Sequence, residues 1–356
     1  LASTESEARY GVEPLARFTA DLLAAAGLER DKAESVSRLL VLTDMLGRPT
    51  HGVALAPPYA EQLEKGLMLR AGEPETLQDT GATLVWDGRY LPGLWLVERA
   101  LTLAFERVAG HGVVTFAIRK SHHIACLAAL VKQATDRGLL AILATSDPAF
   151  SFVAPYGGRE PLLTPNPFAI GYPATKAPVL VDISASITTV AMARRKAAAG
   201  ESFEHPWLMD NAGRPTTDAR ALEQTEPRGS LLLLGGLEYG HKGFGLALMV
   251  EALTQGLSGF GRKDTEKRWG GSVFLQVLDP EAFAGREAFR AQMDYLGERC
   301  RANAPLREGA PVRLPGEQAE RNIETARQKG VPLAEATARR LAETGERFGL
   351  AWPLPF

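Results

Sequence analysis

Leu231-Leu232-Leu233-Leu234-Gly235-Gly236, followed by Tyr239-Gly240-His241-Lys242-Gly243-Phe244-Gly245-Leu246, sets a leucine run before a cluster of glycines. The leucines read as a buried strand. Beyond them Leu246, Met249, Val250, Leu253 and Leu257 recur at helical spacing, so the glycine-rich stretch reads as a turn entering an amphipathic helix. Glycine lets the backbone turn tightly and approach a ligand. A helix N-terminus suits an anion such as phosphate, and Lys242 adds a full positive charge. A structural helix entry with an exposed lysine fits the same residues. The stretch is not a Walker loop, because the lysine comes one position late after Gly235 and is followed by glycine. No G-x-G-x-x-G follows a strand, so a Rossmann fingerprint is absent.

Outward from this point, helical patterns lie toward both ends and strand patterns in the middle, which predicts an α/β or α+β protein. Helices are expected over 14–26, from a capping box Asp31-x-x-Glu34 to Gly47, from Pro57-Pro58 to Gly66, over 94–109 with Gly110 as the stop, and over 124–137. Strands are expected at 74–92, 113–118, 139–145, 179–182 and 272–278. Residues 147–178 form a Pro- and Gly-rich passage that is long for a connection, which points to a site.

A chain of 356 residues is expected to form two domains, and its net charge of -2 argues against a nucleic-acid binder. Cys126 and Cys300 cannot build a disulfide framework, which suggests a reducing, cytoplasmic setting. No signal peptide is legible in the first thirty residues, and no apolar run reaches the ~18 residues of a membrane span.

The six histidines show no zinc spacing, so no metal site is expected. His51 lies in a polar loop between helices, after Thr50 and before Gly52, and an imidazole there suits general acid–base work as well as a structural hydrogen bond. Asp182 ends a strand. It could orient such an imidazole as a triad carboxylate does, or cap the segment from Ser184. Cys126 reads as a small packing residue within a helix.

In order, the chain carries Thr50-His51-Gly52, Ser121-His122-His123, Asn166-Pro167, Asp182-x-Ser184, Leu234-Gly235-Gly236, Gly240-His241-Lys242-Gly243-Phe244-Gly245-Leu246 and Leu314-Pro315-Gly316-Glu317. From about Pro14 to Leu350 this set resembles the type-2 malate/L-lactate dehydrogenase family, NAD(P)-dependent enzymes with a non-Rossmann fold. The resemblance implies an α/β protein with a largely antiparallel, strand-rich cofactor domain over 120–300. Residues 1–119 with 301–356 would form a helical substrate and dimerisation unit. It implies a homodimer that reduces 2-oxo acids or oxidises 2-hydroxy acids. A ketimine reductase of the Δ1-piperideine-2-carboxylate type is the alternative, and a silent dinucleotide-binding homologue a third reading.

Carried over by position, His51 matches the acid–base histidine, Thr50 stands where the family has serine, and Asp182 matches the assisting aspartate. His123, Ile124, Ala125, Cys126, Leu127, Ser184, Gly235, Gly236, Lys242, Gly243, Arg313, Gly316 and Glu317 match cofactor-lining positions. Arg119, Lys120 and Arg313 lean toward NADP over NAD. At the substrate, Thr164 and Asn166 precede Pro167, and Leu55 replaces the family's carboxylate-clamping arginine. Arg48 is then the nearest candidate for that clamp.

Overall fold

The computed structural model describes residues 8–223, 228–264 and 268–356. Its centre is a seven-stranded sheet built from β2 (Glu75–Asp79), β3 (Thr83–Asp87), β4 (Val113–Ser121), β11 (Gly271–Leu278), β5 (Leu140–Ser146), β6 (Phe168–Tyr172) and β7 (Val179–Ile183), in that spatial order. Every neighbouring pair is antiparallel except β3 with β4. β11 lies inside the sheet with both faces covered, which is why it reads as a nearly unbroken apolar run.

Helices α4 (Gly93–His111) and α5 (Leu127–Thr135) pack on the sheet, α4 on β4 and β11 and α5 on β5 and β6. Around them sit α1 (Val12–Ala25), α2 (Arg30–Met45) and α3 (Ala56–Glu64) from the N-terminal side. From the other end come α9 (Glu317–Lys329) against α2 and α10 (Glu335–Arg347) against α3. Strand β1 (Ala8–Tyr10) pairs with β12 (Val331–Leu333), so the two ends of the described chain are joined. One hydrophobic cluster runs from Leu15 and Leu39 through Phe116 and Leu275 to Leu341. The boundary expected near residue 119 therefore falls inside β4 and within a shared core.

A smaller lobe holds α6 (Val190–Ala198) and the sheet β10 (Ser230–Leu231), β8 (Leu208–Met209), β9 (Pro215–Thr216), around Leu163, Phe203, Leu222 and Leu233. Its edge is α7 (Gly236–Glu251), and α8 (Arg286–Arg301) lies beyond β11 in sequence. No helix among the described residues is long and apolar enough to cross a membrane.

Several expected boundaries move. The glycine-rich turn is shorter than the sequence suggested: Gly235 (φ 95°) and Gly236 (φ 64°) make it, and Tyr239 to Leu246 are already helical. The Asp31–Glu34 capping box does not form, because α2 begins at Arg30 and Asp31 lies inside its first turn. Helix α4 stops at Gly112, not Gly110, and α5 starts only at Leu127, since Ala125 has φ 51° and breaks the helical path from Ile124. The 147–178 passage contains β6, whose short Phe168–Tyr172 run was masked by flanking prolines and glycines.

Candidate active site

After α2 the chain makes two short 3-10 turns, Pro49–His51 and Val53–Leu55, and His51 ends the first of them. Beneath them the buried Asp44 carboxylate accepts the Val53 N–H at 2.7 Å. Gly52 lets it come that close, because a methyl at that position would overlap the Asp44 carboxyl group. Burial pushes the Asp44 pKa up to about 8, against the opposing effect of the Val53 N–H bond.

The His51 Nδ1 lies 3.1 Å from the Thr50 hydroxyl. Burial holds the His51 pKa below its ordinary value; the negative charge of Asp182 opposes that shift and the positive charge of Arg48 adds to it. A base that is neutral near pH 7, with one carboxylate to stabilise its protonated form, results.

Asp182, on β7, accepts the Ala128 backbone N–H at 3.0 Å and the Cys126 thiol at 3.5 Å. It therefore caps the first turn of α5 from a neighbouring strand, and acts on His51 through space, not by a hydrogen bond. Cys126 precedes α5 and is not within it. Burial, then the Asp182 charge, pushes its thiol up to about 12, which removes it as a nucleophile.

His123 stacks on Trp269 (ring centroids 4.7 Å apart) and faces His51 across 6.1 Å. Its Nδ1 is 2.9 Å from the Tyr59 hydroxyl. Ile124 and Ala125 are buried between this imidazole and α5, and Leu127 is buried in the first turn of that helix. Neither Tyr59 nor Trp269 stood out in the sequence; the only signals were a tyrosine after Pro57-Pro58 and a tryptophan before Gly270-Gly271.

The loop before α9 runs beside β7, with Leu180 donating to the Pro315 carbonyl at 3.1 Å, and this places Gly316 within two residues of Asp182 along that strand. Glu317 is spent on its own helix entry, accepting from Leu314 N and paired with Arg301. Arg313 bonds Gln318 at 2.8 Å, and Arg119 is paired with Asp87 at 2.9 Å. Ser184 donates to the Ser186 carbonyl.

Lys242 lies in the second turn of α7, exposed and with no carboxylate partner among the described residues. Gly243 is buried where any Cβ would overlap the Leu234 and Ala185 backbones, so it seats the helix on the small lobe. Asn166 is fully buried. Its amide donates to the Ala247 carbonyl at 3.1 Å and to Glu251 at 2.8 Å, while Thr164 donates to its oxygen at 2.8 Å, so these side chains brace α7. Leu55 is half-buried against the main core. Arg48 is exposed, and its guanidinium has no ion pair or hydrogen bond among the described residues.

Lys242, whose ammonium lies over the Tyr239 ring, could hold a phosphate, His123 on its aromatic stack could meet a flat ring, and His51, 6.1 Å from His123, could exchange a proton. Among the described residues no three His, Cys, Asp or Glu side chains converge as metal ligands. The mostly antiparallel sheet is of non-Rossmann build, and comparison with known proteins gives the class, a hydroxy-acid oxidoreductase. A family model described as malate/L-lactate dehydrogenase matches residues 11–342, and the chain belongs to that family. L-sulfolactate dehydrogenase of Methanothermobacter thermautotrophicus is 27% identical over 341 residues, covering 94% of this chain and 95% of that protein. Malate dehydrogenase of Entamoeba histolytica has the same fold, with a TM-score of 0.92 at 23% identity over 99% of this chain and 100% of that one. Δ1-piperideine-2-carboxylate reductase of Pseudomonas syringae pvar. tomato superposes with a TM-score of 0.82 at 25% identity over 94% and 99%.

Proposed function

We propose that this enzyme interconverts a small 2-oxo acid and its 2-hydroxy acid with NAD(P)H, and that His51 carries the proton. The observation that supports it most is the His51 environment: a half-buried imidazole held neutral, within reach of the Asp182 charge and facing His123. Lys242 and the 123–127 segment would hold the dinucleotide, with Arg313 as the cation that leans the choice toward NADPH. The nicotinamide, when bound, supplies or takes the hydride. In reduction the protonated His51 gives its proton to the oxygen that becomes a hydroxyl, and in oxidation the neutral imidazole removes it. Asp182 stabilises the charged imidazole meanwhile. Such proton transfer is worth roughly 10²–10⁴-fold in rate.

Arg48 is the proposed carboxylate clamp in place of an arginine at position 55. It is uncommitted and close enough to His51 to act on its charge. A cyclic ketimine carboxylate is the second reading, favoured by Leu55, whose half-buried apolar side chain suits a ring. A homodimer is proposed from α7, where Leu237, Tyr239, Leu248 and Met249 are exposed. Both cysteines are free, which fits a cytoplasmic setting.

The test is turnover of NADH and NADPH with a panel of 2-oxo acids and cyclic imines, by wild type and His51→Ala. The expected result is oxo-acid reduction that falls at least about 100-fold in the variant, with cofactor affinity within a few-fold. Loss of affinity in step with rate would assign His51 to binding instead, and imine-only turnover would establish the second reading.

A further inference from the structure

His51 and His123 share an arrangement that the proposed mechanism uses only for the first. Each has a hydroxyl at its Nδ1: Thr50 at 3.1 Å and Tyr59 at 2.9 Å. Tyr59 is 2% exposed, so its hydroxyl must find its partner inside the protein. Two partners are in reach, both on His123: Nδ1 at 2.9 Å and the backbone carbonyl at 3.5 Å. Were Nδ1 protonated, it would donate to the phenol oxygen and leave the phenol hydrogen with only the longer carbonyl contact. With the phenol donating to Nδ1, the short bond is satisfied and the imidazole hydrogen sits on Nε2. The ring cannot escape the choice by taking a second proton, because burial and the neighbouring His51 and His122 disfavour the charged form.

The orientation of the ring is fixed as well. Trp269 stacks on it at an interplanar angle of 29° and Tyr59 meets it edge-on, which opposes the flip that would exchange the two nitrogens. Nε2 has no protein partner among the described residues.

We propose that Tyr59 is a positioning residue that locks His123 in the Nε2–H tautomer, so that the site offers a permanent hydrogen-bond donor beside the acid–base His51. A donor of this kind fits a carbonyl or carboxylate oxygen on a molecule bound beside the two histidines. The division of labour follows from it: His51 exchanges a proton, while His123 holds an oxygen without releasing one. The proposal rests on the oxidoreductase reading for its purpose, but not for its measurement.

The test is a long-range 1H–15N spectrum of the full-length protein labelled with [15N]histidine, without cofactor or substrate, with His123→Gln identifying the resonances. A pyridine-type Nδ1 and a pyrrole-type Nε2 in the wild type are expected. In Tyr59→Phe both nitrogens should move toward the average of two exchanging tautomers, and kcat for oxo-acid reduction should fall roughly ten-fold, the scale of one orienting hydrogen bond. A protonated Nδ1 in the wild type overturns the proposal without need of any variant. Unchanged nitrogens in a folded Tyr59→Phe protein overturn it too. If the tautomer is as expected but no oxo acid or imine turns over, it is the oxidoreductase substrate reading that fails and the lock that stands.

Discussion

At the scale of single residues, His51 is balanced between two opposite charges, and each can be removed without touching the imidazole. Hydroxy-acid oxidation needs the neutral base, so the acid limb of kcat/KM should follow the His51 pKa. Asp182 raises that pKa; Asp182→Asn should therefore shift the limb to lower pH, while the amide oxygen can still accept the Ala128 N–H. Arg48 lowers it, so Arg48→Gln should shift the limb to higher pH, and should also raise KM for the oxo acid if Arg48 is the clamp. Shifts of the same sign in both variants would show that His51 is not the titrating base. The histidine itself was legible in the sequence because Thr50 and Gly52 marked a polar loop between two apolar helices. Its surroundings were not. Asp44 and Tyr59 lie in the helices on either side of it and Trp269 far along the chain, and each reads locally as an ordinary helix or strand-entry residue. Asp182 was legible as a strand end, but the α5 amide it accepts could only be seen once β7 lay beside that helix.

At the scale of elements, α7 is where local pattern and structure part. Glycine in a helix interior costs about 1 kcal/mol relative to alanine, so Gly240, Gly243 and Gly245 argued for a turn. The helix forms because tertiary packing outweighs that cost: Gly243 lets the axis lie against the Leu234 and Ala185 backbones. Gly245, one half-turn on, faces open space. The two positions should therefore respond oppositely to the same change. Gly245→Ala should raise thermal stability by roughly 0.5–1 kcal/mol through helix propensity. Gly243→Ala should lower it by a few kcal/mol, on the order seen for overpacking, and separate α7 from the small lobe. Thermal unfolding of the two variants checks this, and equal effects would deny Gly243 its seating role. The antiparallel sheet was only partly legible for a related reason: β4 and β11 announce themselves by apolar runs, whereas β6 hides among prolines and glycines and is defined by its neighbours.

At the scale of the molecule, α7 leaves most of its circumference unburied, with Leu237 at 49%, Tyr239 at 57% and Leu248 at 49% exposure. An apolar face of this kind is costly in water unless a second surface covers it. Leu248→Glu should shift the proposed dimer toward monomer in sedimentation equilibrium and reduce turnover in parallel. A monomeric wild type, or a variant that stays dimeric, would place the interface elsewhere or remove it. The division into a helical unit and a cofactor unit, by contrast, does not appear as two separate cores. The C-terminal helices pack with the N-terminal ones, and the main cluster continues from them into the sheet.

The pairing of β1 with β12 has a consequence for how the chain reaches this state. Arg9 donates to the Gly330 carbonyl across 321 positions, and Phe356 donates back to the Arg9 carbonyl. During synthesis β1 emerges before β12 and must wait for the more than 300 residues between them before its partner leaves the ribosome. Closing so long a loop adds little to the equilibrium cost, since that cost grows only with the logarithm of length. The burden falls on time instead. Until β12 arrives, the apolar faces of α1 and α3 have no cover from the C-terminal helix, and the nascent chain carries an open, sticky flank that a holding chaperone would recognise.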